Sequence, residues 1–205
     1  MSTPSFVDAF SQQFSLDPAH TALLIIDMQN ATGNRHMGLG KLLAEQGNSA
    51  SAEYRFDRIE QLLIPNIQKL IEGFRAAGAS IIWITYGANA RDASDAPPHI
   101  APIIKATNNI AGQPEHEVVD ALKPGPDDLV LNKTTQGAFR STALDSALRA
   151  LGVTTVVSTG VSTNNCVAMT SMEACDLQYQ VVVASDGTGT DSEDMQQATL
   201  TMLKR

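Results

Sequence analysis

TTVVSTGVSTNNCV, residues 154–167, joins a run of β-branched residues to a polar turn and then to a cysteine. The β-branched run predicts a buried strand, and the polar turn predicts the start of a helix. Cys166 would lie in the first turn of that helix, where unpaired backbone N–H groups carry partial positive charge and favour a thiolate. The stretch therefore predicts a nucleophilic cysteine at a strand-to-helix junction. The alternative is a buried, inert cysteine.

Two other predicted strands end in a charged side chain. TALLIIDMQN, residues 21–30, ends its apolar run at Asp27, and DLVLNKTTQGAF, residues 128–139, ends a shorter run at Lys133. In an open parallel sheet, ligands gather at the carboxyl ends of the strands, so Asp27, Lys133 and Cys166 are expected to converge in one crevice. Taken singly, Asp27 would be a loop-capping carboxylate and Lys133 a solvated charge.

Apolar runs alternate with helical patterns along the chain. Strands are predicted at residues 22–26, 80–85, 129–132, 154–158 and 180–184, and helices at 65–77, 142–151, 164–177 and 193–203, with a helical turn near 100–105. Gly78 and Gly152 stop helices just before β-branched runs, as returns into parallel strands require. The pattern predicts an α/β fold, a doubly wound (Rossmann-like) parallel sheet of five or six strands with helices on both faces.

Length and charge limit the kind of protein. With 205 residues, 43% of them hydrophobic, the chain is expected to form a single domain over 1–205, with an N-terminal extension over 1–20. A net charge of -8 without clustered Lys or Arg argues against nucleic acid as a partner. No apolar run is long enough to span a bilayer and no leader pattern is present, so no membrane partner and a cytoplasmic location are expected.

The two cysteines support the same location. Cys166 and Cys175 lie nine residues apart in one predicted helix, and nine steps of about 100° place them on opposite faces. They are therefore expected to be free thiols in a reducing compartment.

LLIIDMQN, LNKTTQGAF and GVSTNNCV together resemble the isochorismatase-like family of cysteine hydrolases, over about residues 21–186. The resemblance implies a doubly wound α/β fold and amidohydrolase activity on small C–N substrates. By position, it implies that Asp27 is the proton acceptor, Lys133 the cationic partner and Cys166 the nucleophile. It also implies a cis peptide bond between Val161 and Ser162. The backbone N–H groups of Ser162 and Cys166 would then form the oxyanion hole.

The chemistry of these residue types agrees with the resemblance. A thiol with a pKa of about 8.5 is mostly protonated at pH 7, so it needs a base and a nearby positive charge. Attack on a carbonyl would expel ammonia or an amine and leave a Cys166 thioester for water to hydrolyse. The expected activity is metal-independent cleavage of a small amide, carbamoyl or ureido compound. The alternatives are an isochorismatase-type vinyl-ether hydrolase and a non-catalytic binding member of the fold.

No cofactor is expected. The resemblance includes a nicotinamidase branch, which holds a divalent ion on an Asp and two His residues with a compact Asp-x-His arrangement. The corresponding region, ANARDASDAPPHI at residues 88–100, carries Asp92, Asp95 and His99 at other spacings, so no metal is expected. Neither a phosphate-binding loop nor a GxGxxG follows the first strand.

Two polar segments, residues 30–54 and 87–125, interrupt the strand-helix alternation. The first is predicted to be a lid or subunit-contact loop, and both are predicted to shape the pocket for a small-molecule substrate. Arginines there make a carboxylate-bearing amide a reasonable substrate. The candidate substrate-binding residues are Arg35, His36, Tyr54, Tyr86, Arg91 and Phe139.

The end of the sequence bears on assembly. Residues 185–205, SDGTGTDSEDMQQATLTMLKR, contain one helical pattern and no further strand pattern. A sixth strand would then either lie outside this sequence or be replaced by a partner subunit. Because an unpaired strand edge tends to associate, a homo-oligomer, a dimer or a tetramer, is expected.

Overall fold

A five-stranded parallel sheet forms the centre of the protein in a computed structural model that describes residues 14–204. The strands are β1 (Thr21–Ile26), β2 (Ser80–Tyr86), β3 (Leu129–Lys133), β4 (Thr155–Val161) and β5 (Gln180–Gly189), in the order β3-β2-β1-β4-β5. The chain winds outward from β1 to β3 and then returns to the other side of β1. This doubly wound topology confirms the predicted fold class, with five strands. Most of the predicted N-terminal extension lies outside the described residues.

Helices cover both faces of the sheet. They are α1 (Asn30–Gly33), α2 (Gly38–Glu45), α3 (Glu53–Arg58), α4 (Ile64–Ala76), α5 (Ala101–Ala106), α6 (Leu144–Ala150), α7 (Ala168–Asp176) and α8 (Glu193–Leu203). A π-helical turn, Ile59–Leu63, joins α3 to α4, and a second one, Thr163–Val167, precedes α7. Short 3₁₀ turns occupy Pro18–His20, Ser49–Ala52 and Asp120–Leu122. Within the described residues, no helix is long and apolar enough to cross a membrane.

Both faces of β1 are buried, which explains its uninterrupted apolar sequence. Leu24 and Ile26 belong to one core cluster, together with side chains of α6 and α7. Leu23 and Ile25 belong to the opposite cluster, with residues of the α3–α4 region and Trp83. β1 is thus the central strand, and its carboxyl end lies in the middle of the sheet edge.

The structure corrects the interpretation of residues 30–54 as a loop. The segment contains α1, α2 and a 3₁₀ turn. Its glycines suggested flexibility, but Gly40 is required for close packing, since a Cβ there would lie 2.1 Å from the Arg35 carbonyl oxygen. The helices were not predicted from the sequence, because glycine occurs both in flexible turns and where two backbone segments pack closely.

Two strands extend beyond their predicted ends. β4 continues to Val161, and β5 continues through the sequence Ser185-Asp-Gly-Thr-Gly189. Asp and Gly are depleted in strands, so this sequence gave no strand signal. It pairs nonetheless, because a register shift between Ser158 and Gly160 lets Gly160 pair with Thr188.

The segment 87–125 also has structure. It contains α5, an isolated bridge between Gln29 and Val118 attaches it to the residues that follow β1, and a second bridge, Ala88–Ile110, joins two parts of the segment itself. This attachment places the segment at the carboxyl edge of the sheet, beside the predicted crevice.

Candidate active site

Three strand ends bring the predicted catalytic side chains to one edge of the sheet. Asp27 follows β1 directly, Lys133 is the last residue of β3, and Cys166 lies in the π-helical turn after β4. Lys133 Nζ donates a hydrogen bond to Asp27 Oδ2 at 2.9 Å, and these side chains are 0% and 6% exposed. Cys166 is 6% exposed and close enough to both for their charges to act on its thiol. A carboxylate, an ammonium and a thiol thus share a buried site.

The backbone at Asp27 turns out of the sheet. Its φ is +54°, and its N–H donates to the Ile84 carbonyl at 2.8 Å. Next to it, β4 passes β1 closely at Gly160, whose φ is +104° and whose added Cβ would lie 1.9 Å from the Ile26 carbonyl oxygen. Glycine is therefore required where β4, the strand that leads to Cys166, passes the backbone just before Asp27.

Burial controls the protonation of the site. It raises the pKa of Asp27, against the opposing effect of Lys133. Burial first, and the Asp27 charge second, raise the pKa of the Cys166 thiol to about 12. Burial of the thiol therefore opposes the effect of the helix start, which would favour a thiolate. Burial thus favours the protonated thiol, which would need a proton acceptor in order to act as a nucleophile.

The peptide bond between Val161 and Ser162 is cis. The Ser162 carbonyl accepts hydrogen bonds from the N–H groups of Asn165 and Val167, at 3.0 and 3.2 Å. The chain therefore turns tightly around Ser162 into the segment that carries Cys166. The first turn of such a helix leaves N–H groups without intrahelical partners, which makes it suited to binding an anion.

The residues between Ser162 and Cys166 are held by side chains from three different parts of the fold. Thr163 Oγ1 donates to Gln196 Oε1 at 2.7 Å, Thr190 Oγ1 to Asn164 Oδ1 at 2.6 Å, and Gln136 Nε2 to Asn165 Oδ1 at 2.5 Å. The turn that presents the thiol is therefore rigidly positioned.

Among the six substrate-binding candidates, Tyr86 contacts Lys133. The Lys133 ammonium lies 3.8 Å from the centre of the Tyr86 ring, a cation–π contact. The Tyr86 hydroxyl is buried and has no hydrogen-bond partner among residues 14–204. The hydroxyl group is thus a buried donor beside the site that makes no hydrogen bond within the described part of the chain.

Of the other five candidates, Phe139 packs against the core cluster that includes Cys166, and the remaining four are engaged elsewhere or exposed. Arg35 pairs with Asp57 and Glu60, so its donors are engaged within the chain, and His36 is exposed beside it. Tyr54 donates its hydroxyl to Glu193 at 2.7 Å, and the Phe139 ring packs 6.0 Å from the Tyr179 ring. Arg91 is exposed and makes no ion pair with another described residue.

The region compared with the nicotinamidase metal site forms its own turn. Asp95 accepts hydrogen bonds from the backbone of Asn89 and Ala90, Asp92 accepts from Ser94, and His99 is exposed. Across residues 14–204, no three His, Cys, Asp or Glu side chains lie close enough together to hold a metal ion.

Sequence reasoning missed two buried polar residues at this edge. Gln29 is fully buried, accepts the Tyr86 N–H at 2.7 Å and donates to the His116 carbonyl at 2.7 Å, so it ties β2 to the segment 87–125. Arg55 reaches from α3 to Ser162. Gln29 follows Asp27 by two residues, and that proximity was an available signal. Arg55 had none, because it is distant in sequence.

Comparisons with known proteins agree with this geometry. The family model described as Isochorismatase domain matches residues 21–205. A ureidoacrylate amidohydrolase RutB from Enterobacter sp. (strain 638) is 33% identical over 185 residues, which are 83% of this chain and 76% of that protein. The solved isochorismatase family protein of Desulfovibrio vulgaris is 29% identical, with a TM-score of 0.74, over 89% of this chain and 88% of that one.

The N-carbamoylsarcosine amidase of Thermoplasma acidophilum has a similar structure, with a TM-score of 0.66 at 25% identity over 90% of each chain. The family match spans most of this chain and includes all three strand ends of the site. The chain therefore belongs to the isochorismatase family.

Proposed function

We propose that this protein is a metal-independent cysteine hydrolase that cleaves a C–N bond of a small amide, carbamoyl or ureido compound through a Cys166 thioester. The protein is a hydrolase of C–N bonds, and its family membership supports that general activity. One observation carries the more detailed proposal: a buried thiol lies beside a carboxylate that is hydrogen-bonded to a buried ammonium.

The geometry suggests the order of proton transfers. As the Cys166 sulfur attacks the carbonyl carbon, the thiol proton passes to Asp27 and the carbonyl oxygen becomes an oxyanion. The backbone N–H groups of Ser162 and Cys166 are the proposed donors to that oxyanion. The Lys133 ammonium, which is hydrogen-bonded to Asp27, offsets negative charge in the site. The C–N bond then breaks, and Asp27 returns the proton to the leaving nitrogen.

The thioester is hydrolysed by the reverse use of the same carboxylate. Asp27 takes a proton from water, hydroxide attacks the thioester carbon, and the C–S bond breaks as the thiol regains its proton. No metal is required in either half-reaction, since Asp27 moves the protons and the backbone donors bind the oxyanion.

Two relatives support the carbamoyl and ureido part of the substrate range, since one is named for ureidoacrylate and the other for N-carbamoylsarcosine. Cleavage of a vinyl ether needs a proton donor but no thiol, so the Cys166–Asp27 arrangement favours the amidohydrolase. A non-catalytic binding role does not account for a buried thiol, carboxylate and ammonium held together.

The test is ammonia release from a panel of small amides, carbamoyl and ureido compounds. Wild-type protein is compared with Cys166→Ala and with Cys175→Ala, a matched control because Cys175 is an exposed thiol on the same helical segment. Release lost in Cys166→Ala, kept in Cys175→Ala and unchanged by a chelator supports the proposal. Release by Cys166→Ala at the wild-type rate would refute the thioester.

We also propose a cytoplasmic homo-oligomer, a dimer or a tetramer, with neither nucleic acid nor membrane as partner. An apolar groove of about 510 Å³ lies beside β5, and Met172, Val181 and Leu203 help to line it. Its position next to the last strand of the sheet supports association through this edge. Light scattering of purified protein measures the mass, and a monomer at micromolar concentration would contradict the proposal.

A further inference from the structure

Arg55 is a buried cation that the proposed reaction does not use. It lies in α3 and is 5% exposed. Its Nε donates to the Thr32 carbonyl at 3.0 Å, and one terminal nitrogen donates to both Ser162 Oγ at 2.8 Å and Asp191 Oδ1 at 2.9 Å. A guanidinium is always charged, so its burial requires partners that hold it in one position.

These partners belong to three segments around the catalytic edge. Thr32 lies in α1, soon after Asp27, and Asp191 lies between β5 and α8. Arg55 is fixed on both of these segments, and its third contact is the side chain of Ser162. Since Ser162 supplies a proposed oxyanion donor, an anchored guanidinium that binds its hydroxyl restrains the direction of its backbone N–H.

Arg58, one turn further along α3, offers an internal comparison. It also bridges α3 to β5, because it donates to the Thr188 and Ser185 carbonyls at 3.0 Å each. It makes no hydrogen bond to Ser162 among residues 14–204. The two arginines therefore share a helix and a bridging role, and only Arg55 reaches the proposed oxyanion donor.

We infer that Arg55 is a positioning residue that holds Ser162 so that its backbone N–H binds the oxyanion. This inference rests on the proposed function, because it assumes that sulfur attacks a carbonyl group at this site. Arg55 acts through Ser162 rather than on the substrate. Its loss should therefore weaken oxyanion binding for every carbonyl compound, with or without a carboxylate.

The test uses acetaldehyde labelled with ¹³C at its carbonyl carbon, which requires no turnover. The Cys166 S–H adds across the C=O bond, so an S–C bond forms and the carbonyl oxygen becomes the hydroxyl or oxyanion of a hemithioacetal. No oxidation occurs and no group leaves. The ¹³C resonance of this adduct, absent in Cys166→Ala, gives the dissociation constant. A small neutral aldehyde also excludes any effect of carboxylate binding.

Arg55→Met should raise the dissociation constant at least tenfold, and Ser162→Ala should raise it by a similar factor. The double variant should bind the aldehyde no more weakly than whichever single variant binds it less tightly, because both changes remove the same Arg55–Ser162 hydrogen bond. Arg58→Met should stay within twofold of wild type. If Arg55→Met does not fold, as judged by circular dichroism, Ser162→Ala decides the question by itself.

Any of three results with the variants would overturn the inference: tight aldehyde binding by folded Arg55→Met, tight binding by Ser162→Ala, or multiplicative effects in the double variant. A wild-type affinity no greater than that of a free thiol would also overturn it, since there would then be no oxyanion site to position. A wild-type protein that binds the aldehyde strongly at Cys166 and hydrolyses no amide would refute the proposed function instead.

Discussion

Replacing Lys133 by methionine removes the only cation hydrogen-bonded to Asp27 among the described residues. Methionine has a similar length, so the main change is electrostatic: the Asp27 carboxylate stays buried and loses its counter-charge. Breaking a buried ion pair by removing one partner costs about 3–5 kcal/mol of unfolding free energy. For a domain of this size, each kcal/mol lowers Tm by about 2–4 °C, so a fall of roughly 6–20 °C is expected.

The pH dependence of the unfolding free energy of Lys133→Met shows whether the unpaired Asp27 carboxylate causes the loss of stability. Burial already raises the pKa of Asp27, and loss of Lys133 raises it further. Between the unfolded and the folded pKa, the folded state binds more protons, so unfolding free energy falls as pH rises. The variant should therefore be closest to wild type at pH 4–5 and fall furthest behind at pH 8. Neutralising the carboxylate as well, in Lys133→Met/Asp27→Asn, should recover most of the loss.

Calorimetry or urea unfolding at pH 5, 6, 7 and 8 measures these differences. Lys123→Met is the matched control, because Lys123 pairs with Asp120 on the surface and its removal should leave stability unchanged within error. A Lys133→Met deficit that is equal at all four pH values, or that Asp27→Asn fails to relieve, would refute the argument that an unpaired buried carboxylate causes it.

Further predictions concern proton transfer, thiol reactivity and glycine. As pH is lowered, kcat/KM should fall with a midpoint above pH 3.8, the usual pKa of the carboxyl group, because burial raises the pKa of Asp27. An acid midpoint below pH 3.8 would contradict this. Iodoacetamide should label Cys166 slowly in the folded protein and readily after unfolding in urea, because the thiol is buried, as peptide mass spectrometry can measure. Gly160→Ala should cost at least about 2 kcal/mol through its left-handed backbone and steric clash, whereas Gly73→Ala, in open space on α4, should stabilise by about 0.5–1 kcal/mol in urea unfolding.

The fold and the meeting of the three charged or nucleophilic residues could be predicted from sequence. β1 is buried on both faces, so its continuous apolar run gave a strong signal, and Asp27 follows that run at once. Lys133 and Cys166 likewise lie at or just after the end of a predicted strand. The convergence rule for parallel sheets then needs only the strand ends, not the details of packing.

Features that depend on tertiary contacts could not be predicted in this way. The acidity of Cys166 depends on how completely other segments cover it, which a helix-start argument does not include. The engagement of Arg35 by Asp57 and Glu60 joins residues more than twenty positions apart. Arg55 is 107 residues from Ser162 in the sequence. An arginine in a helix is normally predicted to be exposed on the surface.

The protonation pattern explains how such a buried site can perform charge-separating chemistry. At rest, the Asp27 carboxylate and the Lys133 ammonium offset each other and the thiol is neutral, so burial costs less than it would for a thiolate beside a carboxylate. In the proposed attack, the proton would move to Asp27 while negative charge would appear on the substrate oxygen. The net charge of the site is unchanged, and the negative charge moves from a carboxylate to an oxyanion.

The rate of the proposed reaction would then depend on whether the protein stabilises the negative charge better on the Asp27 carboxylate or on the substrate oxyanion. Lys133 is hydrogen-bonded to Asp27 and favours the resting position, whereas backbone donors at Ser162 and Cys166 would favour the oxyanion. Any residue that improves the alignment of those donors lowers the barrier without tightening the resting state. Arg55 is placed to do this, because it is fixed to the protein on two sides and contacts Ser162 on the third.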